Sequence, residues 1–196
     1  MVRHLPAAFR DERRAGNVRE FPSDDDPPDA GEANVSEKAE RFREQMRSPM
    51  KARAFFLAKL PLAWFAGLKL RHLDAGRCEV VVPRGWRTQN PFRSTYFAAQ
   101  AMAAELSTGA LAMAAVQAAG APVSMLVTEM SCTFGKKAVS DAVFTCADGP
   151  LIEAAVAETV RTGEGTVAQA VSTGRMADGT EVSRFVFTWS FKRKSG

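Results

Sequence analysis

The hydrophobic pattern changes character several times along this chain, and each change predicts an element. A short charged helix is expected from an N-cap at Ser36 to about Gln45. Ser48-Pro49 then restarts a helix, with proline at the first helical position, where its missing N–H costs nothing. Ala52, Phe55, Phe56 and Lys59 follow before Pro61 ends it. Leu62 to Phe65 is an apolar segment expected to pack under a sheet. Leu68 to Leu73 and Cys78 to Val82 read as strands around the turn Asp74-Ala75-Gly76-Arg77. An irregular stretch, Pro83 to Arg93, leads into one long alanine-rich helix from Ser94 to Ala119, closed by Gly120. Val123 to Phe134 and Ala142 to Cys146 read as strands. A short helix follows Asp148-Gly149-Pro150 and ends at Gly163, with Leu151, Ala155, Val156, Thr159 and Val160 on one face. Thr166 to Met176 and Glu181 to Lys192 form a hairpin around Ala177-Asp178-Gly179-Thr180. In its second strand Phe185, Phe187, Trp189 and Phe191 share one face, so that side of the sheet is buried against something bulky. The order of elements is α+β.

The long helix is the unusual element. Between Ser94 and Gly120 the only charged residue is Glu105. A helix with so little polar face is surrounded on most sides, by a bilayer or by protein. Eleven of its residues are alanine, which brings little transfer energy, and Gln100, Ser107, Thr108 and Gln117 are polar. A curved sheet wrapped around the helix is therefore expected, not a membrane span. A carboxylate in that setting either has a raised pKa or needs a partner. The plain alternative is a Glu105 that points to solvent or pairs with an arginine.

Composition narrows the class. The chain has 196 residues, 46 % hydrophobic and 24 % charged, in the range of one soluble globular domain. Residues 1–35, with the run Asp24-Asp25-Asp26-Pro27-Pro28-Asp29 and little apolar periodicity, are expected to be unstructured, leaving 36–196 as a single domain. No secretory signal is read at the start, and the three cysteines (Cys78, Cys132, Cys146) are expected to be buried and reduced, which fits a cytoplasmic protein. With only His4 and His72 and no CxxC pair, no metal site is expected. The formal charge is +4, and residues 1–48 hold nine Lys/Arg against eleven Asp/Glu, so the positive excess lies wholly in 49–196. A mild excess of this kind suits anionic small molecules as well as nucleic acid. No long basic run marks a nucleic-acid tract, and the Lys192-Arg193-Lys194 tail reads as solvated.

A long helix within an antiparallel sheet, after a loop holding Asn and with an acid inside the helix, resembles the hotdog fold of acyl-CoA thioesterases. The closer resemblance is to a branch known only as a domain of unknown function, near the phenylacetic-acid-type thioesterases. It covers roughly residues 50–193 and rests on element order, on Pro83-Arg84-Gly85-Trp86-Arg87-Thr88-Gln89-Asn90, and on the Phe-Thr-Trp-Ser-Phe run at Phe187 to Phe191. In the family it resembles, an Asn is followed six residues later by His, then by Gly-Gly, with an acid nine residues after the His. Here Asn90 and Glu105 keep their places, while the centre reads Tyr96-Phe97-Ala98.

The resemblance implies roles. Glu105 would activate water or attack directly, and Asn90 would orient water or the loop. A backbone N–H at Phe97 or Ala98 would hold the oxyanion, with the Tyr96 hydroxyl standing where His would donate. Ser124 would be a polar helper, and Arg93, with Arg84 and Arg87, would meet the phosphates of coenzyme A. An acyl-CoA or acyl-carrier thioester would be the substrate, with no cofactor. The resemblance also implies a homodimer or dimer of dimers, with the acid facing a neighbour's helix start. No nucleic-acid or membrane partner is expected. Locally, however, Asn90 before Pro91 reads as a turn residue and Tyr96 as packing. A non-catalytic hotdog protein that binds a thioester or serves as a dimeric scaffold therefore stands beside the hydrolase. Nucleic-acid binding is the least favoured reading.

Overall fold

The computed structural model describes residues 30–194. Three helices come first: α1 (Ala30–Arg47), α2 (Pro49–Lys59) and α3 (Pro61–Ala66). The hairpin β1 (Lys69–Leu73) and β2 (Cys78–Val82) precedes the long helix α4 (Phe97–Gln117). Then come β3 (Val123–Phe134), β4 (Ala142–Cys146), α5 (Gly149–Thr162), β5 (Thr166–Met176) and β6 (Glu181–Arg193). The six strands form one sheet in the order β1-β2-β4-β5-β6-β3, with every neighbouring pair antiparallel. This is the expected α+β hotdog architecture, a curved sheet around a central helix.

The aromatic stripe of β6 lines the inside of the sheet, with Phe185, Phe187, Trp189 and Phe191 all buried. Phe185 and Phe187 stack with ring centroids 6.1 Å apart. Helix α4 buries Ala99, Ala103, Ala110, Ala112 and Ala114 around its circumference, small enough for its neighbours to approach the helix backbone closely. At one position the sheet does the same for a ring: a Cβ on Gly174 would lie 2.5 Å from its cross-strand partner Phe144.

The polar residues of α4 fasten it to the strands. Gln100 Oε1 accepts from Ser183 Oγ of β6 (2.8 Å), and Ser107 Oγ meets Ser172 Oγ of β5 (2.7 Å). Thr108 Oγ1 accepts from Trp189 Nε1 of β6 (3.0 Å). Each buried polar group thus has a partner, and together they set the helix's height and rotation in the sheet. Among the described residues no helix is long and apolar enough to cross a membrane.

Several expectations change. Helix α1 begins at Ala30, so Ser36 lies inside it and residues 30–35 are helical; the rest of the stretch expected to be unstructured lies outside the described residues. Leu62 and Phe65 do not pack under the sheet, because α3 turns them outward, 67 % and 48 % exposed. Helix α5 buries Ile152, Val156 and Thr159, while Leu151 faces out. Cys132 is exposed, since it sits on the terminal strand β3. Cys78 and Cys146 are buried cross-strand neighbours, and burial holds both thiols protonated, with that of Cys146 pushed up to about 12.

Candidate functional site

The site is built on the side of α4 that the sheet leaves open. Along it run Phe97, Ala101 and Glu105, four residues apart and so on one stripe, with Met102 alongside. Glu105 lies under α1 and α2, with Met125 of β3 beside it. Its surroundings form a cavity of about 70 Å³ lined by Phe42, Met46, Phe55, Leu60, Met113 and Met125. Burial in this apolar setting raises the carboxyl's pKa, with no cation or hydrogen-bond donor opposing it. Glu105 therefore neither pairs with an arginine nor extends freely into solvent.

Gly109 makes room for the carboxylate. A Cβ there would lie 3.0 Å from Glu105 Oε1 and 3.3 Å from the Trp189 ring, so the acid lies across the bare helix turn, against the tryptophan edge. The backbone beneath is held as well: Thr108 Oγ1 donates to the Glu105 carbonyl (2.9 Å) while it accepts from Trp189. Gly109, Thr108 and Trp189 were not among the expected site residues. The only signal for Gly109 was a glycine in mid-helix, which costs stability unless something needs the space.

The start of α4 is a second centre. Asn90 closes the preceding loop: its Oδ1 accepts from the N–H groups of Phe92 (3.0 Å) and Ser94 (3.2 Å) and from Ser94 Oγ (3.2 Å). Its amide is thus engaged in the turn, which holds Arg93 at φ 57. Arg93 is exposed, and its carbonyl accepts from Arg84 (2.9 Å). Tyr96 is the N-cap residue, its N–H donating to Thr88 (2.7 Å) and its side chain making no cap bond. The N–H groups of Phe97 and Ala98 have no intrahelical carbonyl to bond and sit at the positive end of the helix dipole. An open cavity of about 380 Å³ lies in front of them, lined by Asn90, Tyr96, Phe97, Phe134, Lys136 and Lys137. The two lysines were also not anticipated; a Lys-Lys pair after Gly135 was their only sequence signal.

Within one chain the two centres are separate. Phe97 and Glu105 differ by eight residues, a rise of about 12 Å along the helix. Ser124 is close to neither: its hydroxyl donates to the Lys192 carbonyl (3.0 Å), and as the neighbour of inward Met125 it lies on the sheet's outer face. The wall beside the open stripe is β3. Past a register shift between Val127 and Glu129, Met130 and Phe134 face inward opposite Phe187 and Ser183, yet are about half exposed. Phe134 meets the Phe97 ring edge-on at 6.5 Å. Strand β3 ends the sheet, and its outer edge carries no strand among the described residues. Nor do three or more His, Cys, Asp or Glu side chains gather to hold a metal ion among these residues.

The family model of DUF4442, a domain of unknown function, matches residues 50–191. The chain belongs to the DUF4442 family. No curated protein matches it significantly. In fold this DUF4442 chain is similar to a probable thioesterase of Pseudomonas aeruginosa, with a TM-score of 0.62 at 18 % identity over 75 % of this chain and 97 % of that one. A Chlorobaculum tepidum protein of unknown function gives 0.67 at 13 % identity, over 82 % and 100 % of the two chains. The PaaI protein of the E. coli phenylacetic acid degradation operon gives 0.53 at 14 % identity, over 83 % and 97 %. At such identities the likeness is one of fold.

Proposed function

We propose that this DUF4442 protein hydrolyses the thioester of an acyl-CoA or acyl-carrier substrate, working as a homodimer or dimer of dimers without cofactor. The observation that carries the reading is Glu105, a partly buried carboxyl with no partner among the described residues, seated over a glycine on the open side of the central helix. A raised pKa suits a general base working near neutral pH. Glu105 accepts a proton from water as that water's oxygen bonds to the thioester carbon. The developing oxyanion is held by the N–H groups of Phe97 and Ala98. The C–S bond then breaks, and the thiolate leaves and takes up a proton, giving a carboxylic acid and a thiol. Because Glu105 and the helix start are about 12 Å apart in one chain, the reaction needs Glu105 of one subunit beside the helix start of another. The free edge of β3 is the surface that would pair the subunits. Lys136, Lys137 and Arg93 supply positive charge for an anionic carrier. A cytoplasmic setting fits this reading, since Cys78, Cys132 and Cys146 are free thiols.

A second reading, a thioester-binding protein without turnover, has an observation of its own. The Asn90 amide oxygen is occupied by the loop, and the Tyr96 and Phe97 rings, with centroids 4.9 Å apart, stand at the helix start. Thiol release from short, long and aromatic acyl-CoAs, compared between the wild type and Glu105→Gln, separates the two. Turnover lost in the variant supports the hydrolase. A folded dimer with no turnover on any substrate supports the binder. A monomer by light scattering would remove the shared-site mechanism.

A further inference from the structure

The roof over Glu105 has an outer side with its own chemistry. While Phe55 and Leu60 point inward, Met50, Leu57, Leu62 and Phe65 of α2 and α3 face outward, Met50 being 83 % exposed. Trp86, from the loop after β2 and 78 % exposed, sets its ring edge-on to Phe65 with centroids 6.5 Å apart. Large apolar side chains standing this far out of a surface mark a docking site. The chain segment that builds most of this face carries charge of one sign. Between Glu44 and Asp74 the chain carries Arg47, Lys51, Arg53, Lys59, Lys69 and Arg71 and no acidic residue. Lys51, Arg53, Lys59 and Lys69 make no ion pair among the described residues. At the seam between α2 and β1 an open cavity of about 340 Å³ has Pro49, Phe56 and Leu68 in its apolar lining and Arg53 and Lys69 as its unpaired cations, with Arg71 held by Glu79.

We propose that the outer face of α2 and α3, with Trp86, docks on an anionic phospholipid bilayer, the seam cavity receiving a lipid phosphate. An apolar ridge flanked by basic side chains fits the boundary between headgroups and acyl chains, and tryptophan is suited to that depth. A second copy of the chain is a poor occupant, because a two-fold contact would set this basic face against an equally basic one. An acidic protein would answer the charges but not the protruding Met50, Leu62 and Trp86. The expectation of no membrane partner came from the lack of a spanning segment, and surface docking needs none. The proposal does not depend on the thioester reading, since lipid binding is measured without turnover.

The test is flotation of the full chain with vesicles of phosphatidylcholine, with and without phosphatidylglycerol. Binding is expected only with phosphatidylglycerol and should weaken as salt rises. Lys51→Glu with Arg53→Glu should reduce partitioning more than about tenfold. Both side chains are exposed, so the variant's circular dichroism should be unchanged. Leu62→Ala with Trp86→Ala should weaken binding at every salt concentration, and wild-type tryptophan emission should shift to the blue on vesicles. No flotation with phosphatidylglycerol at low salt overturns the proposal, as does binding unchanged by the charge reversal. Retention on polyglutamate but not on vesicles would point to an acidic protein, and self-association abolished by the same reversal would point to a second copy; either result also overturns it.

Discussion

Helix α4 carries two kinds of polar residue, and the contrast between them separates architecture from chemistry. On the side facing the strands, Gln100, Ser107 and Thr108 are buried and each bonds a partner on β5 or β6. On the open side, Glu105 is partly buried against phenylalanine, leucine and methionine and bonds nothing among the described residues. A buried polar group with partners contributes to stability, whereas a carboxyl without one detracts from it. A fold that needed only packing would do better with leucine at 105. The sheet side is built for stability and the open side for reactivity, and each variant below tests one side against the other.

The largest effect is expected from Glu105→Gln. Removal of a general base costs about 10²–10⁴-fold in turnover. Thiol release from the best acyl-CoA should fall by that factor while the dimer mass by light scattering stays unchanged. Retained turnover would place the chemistry elsewhere and reduce Glu105 to an awkward core residue. On the sheet side the expectation reverses. Gln100→Leu leaves the Ser183 hydroxyl and the Thr95 carbonyl without their partner and should cost about 1–3 kcal/mol in urea unfolding. Turnover per folded molecule should change far less than in Glu105→Gln.

Gly109→Ala crosses the divide, because its new methyl group would meet Glu105 Oε1 at 3.0 Å and Trp189 at 3.3 Å. Replacing a mid-helix glycine by alanine favours the helix by about 1 kcal/mol, which offsets the crowding, so the melting temperature should move little. Turnover should nevertheless fall roughly ten- to a hundredfold, since the carboxylate has to shift. An unshifted pH profile at full rate would show that the acid's position over Gly109 is incidental.

What the sequence reveals follows the same divide. Strand and helix order was legible because alternation on β6 and alanine on α4 are local signals of burial, and the limits of β2, β3, β4 and β5 coincide with those expected. Glu105 stood out as the lone charge in an apolar helix. Its surroundings did not, because Phe42, Met46, Phe55 and Leu60 come from helices more than forty residues away, and no local pattern tells an inward residue of such a helix from an outward one. For the same reason Leu62 and Phe65 were expected inside, and Leu151 was expected on the buried face. Asn90 shows the limit most plainly. Its place relative to Glu105 was visible, but only the bonds to Phe92 and Ser94 show where its amide oxygen is engaged.

The smallest effect is on stability, and it bears most directly on the contrast. Burial raises the pKa of Glu105 in the folded chain above its unfolded value. Between those two values the folded state keeps a proton that the unfolded state has lost, so stability falls as pH rises through that window and stays lowered above it. Asp74 acts oppositely: His72 and the turn N–H groups hold its carboxyl below the usual range, and its contribution is lost as pH falls. Asp74 is common to wild type and Glu105→Gln, so it cancels when their melting curves are subtracted. The difference should be near zero below the ordinary carboxylate range and should favour the glutamine variant at neutral pH. A variant less stable than wild type at neutral pH would mean that the Glu105 carboxylate has a partner after all, supplied by the second subunit. The open side of α4 would then obey the same rule as its sheet side.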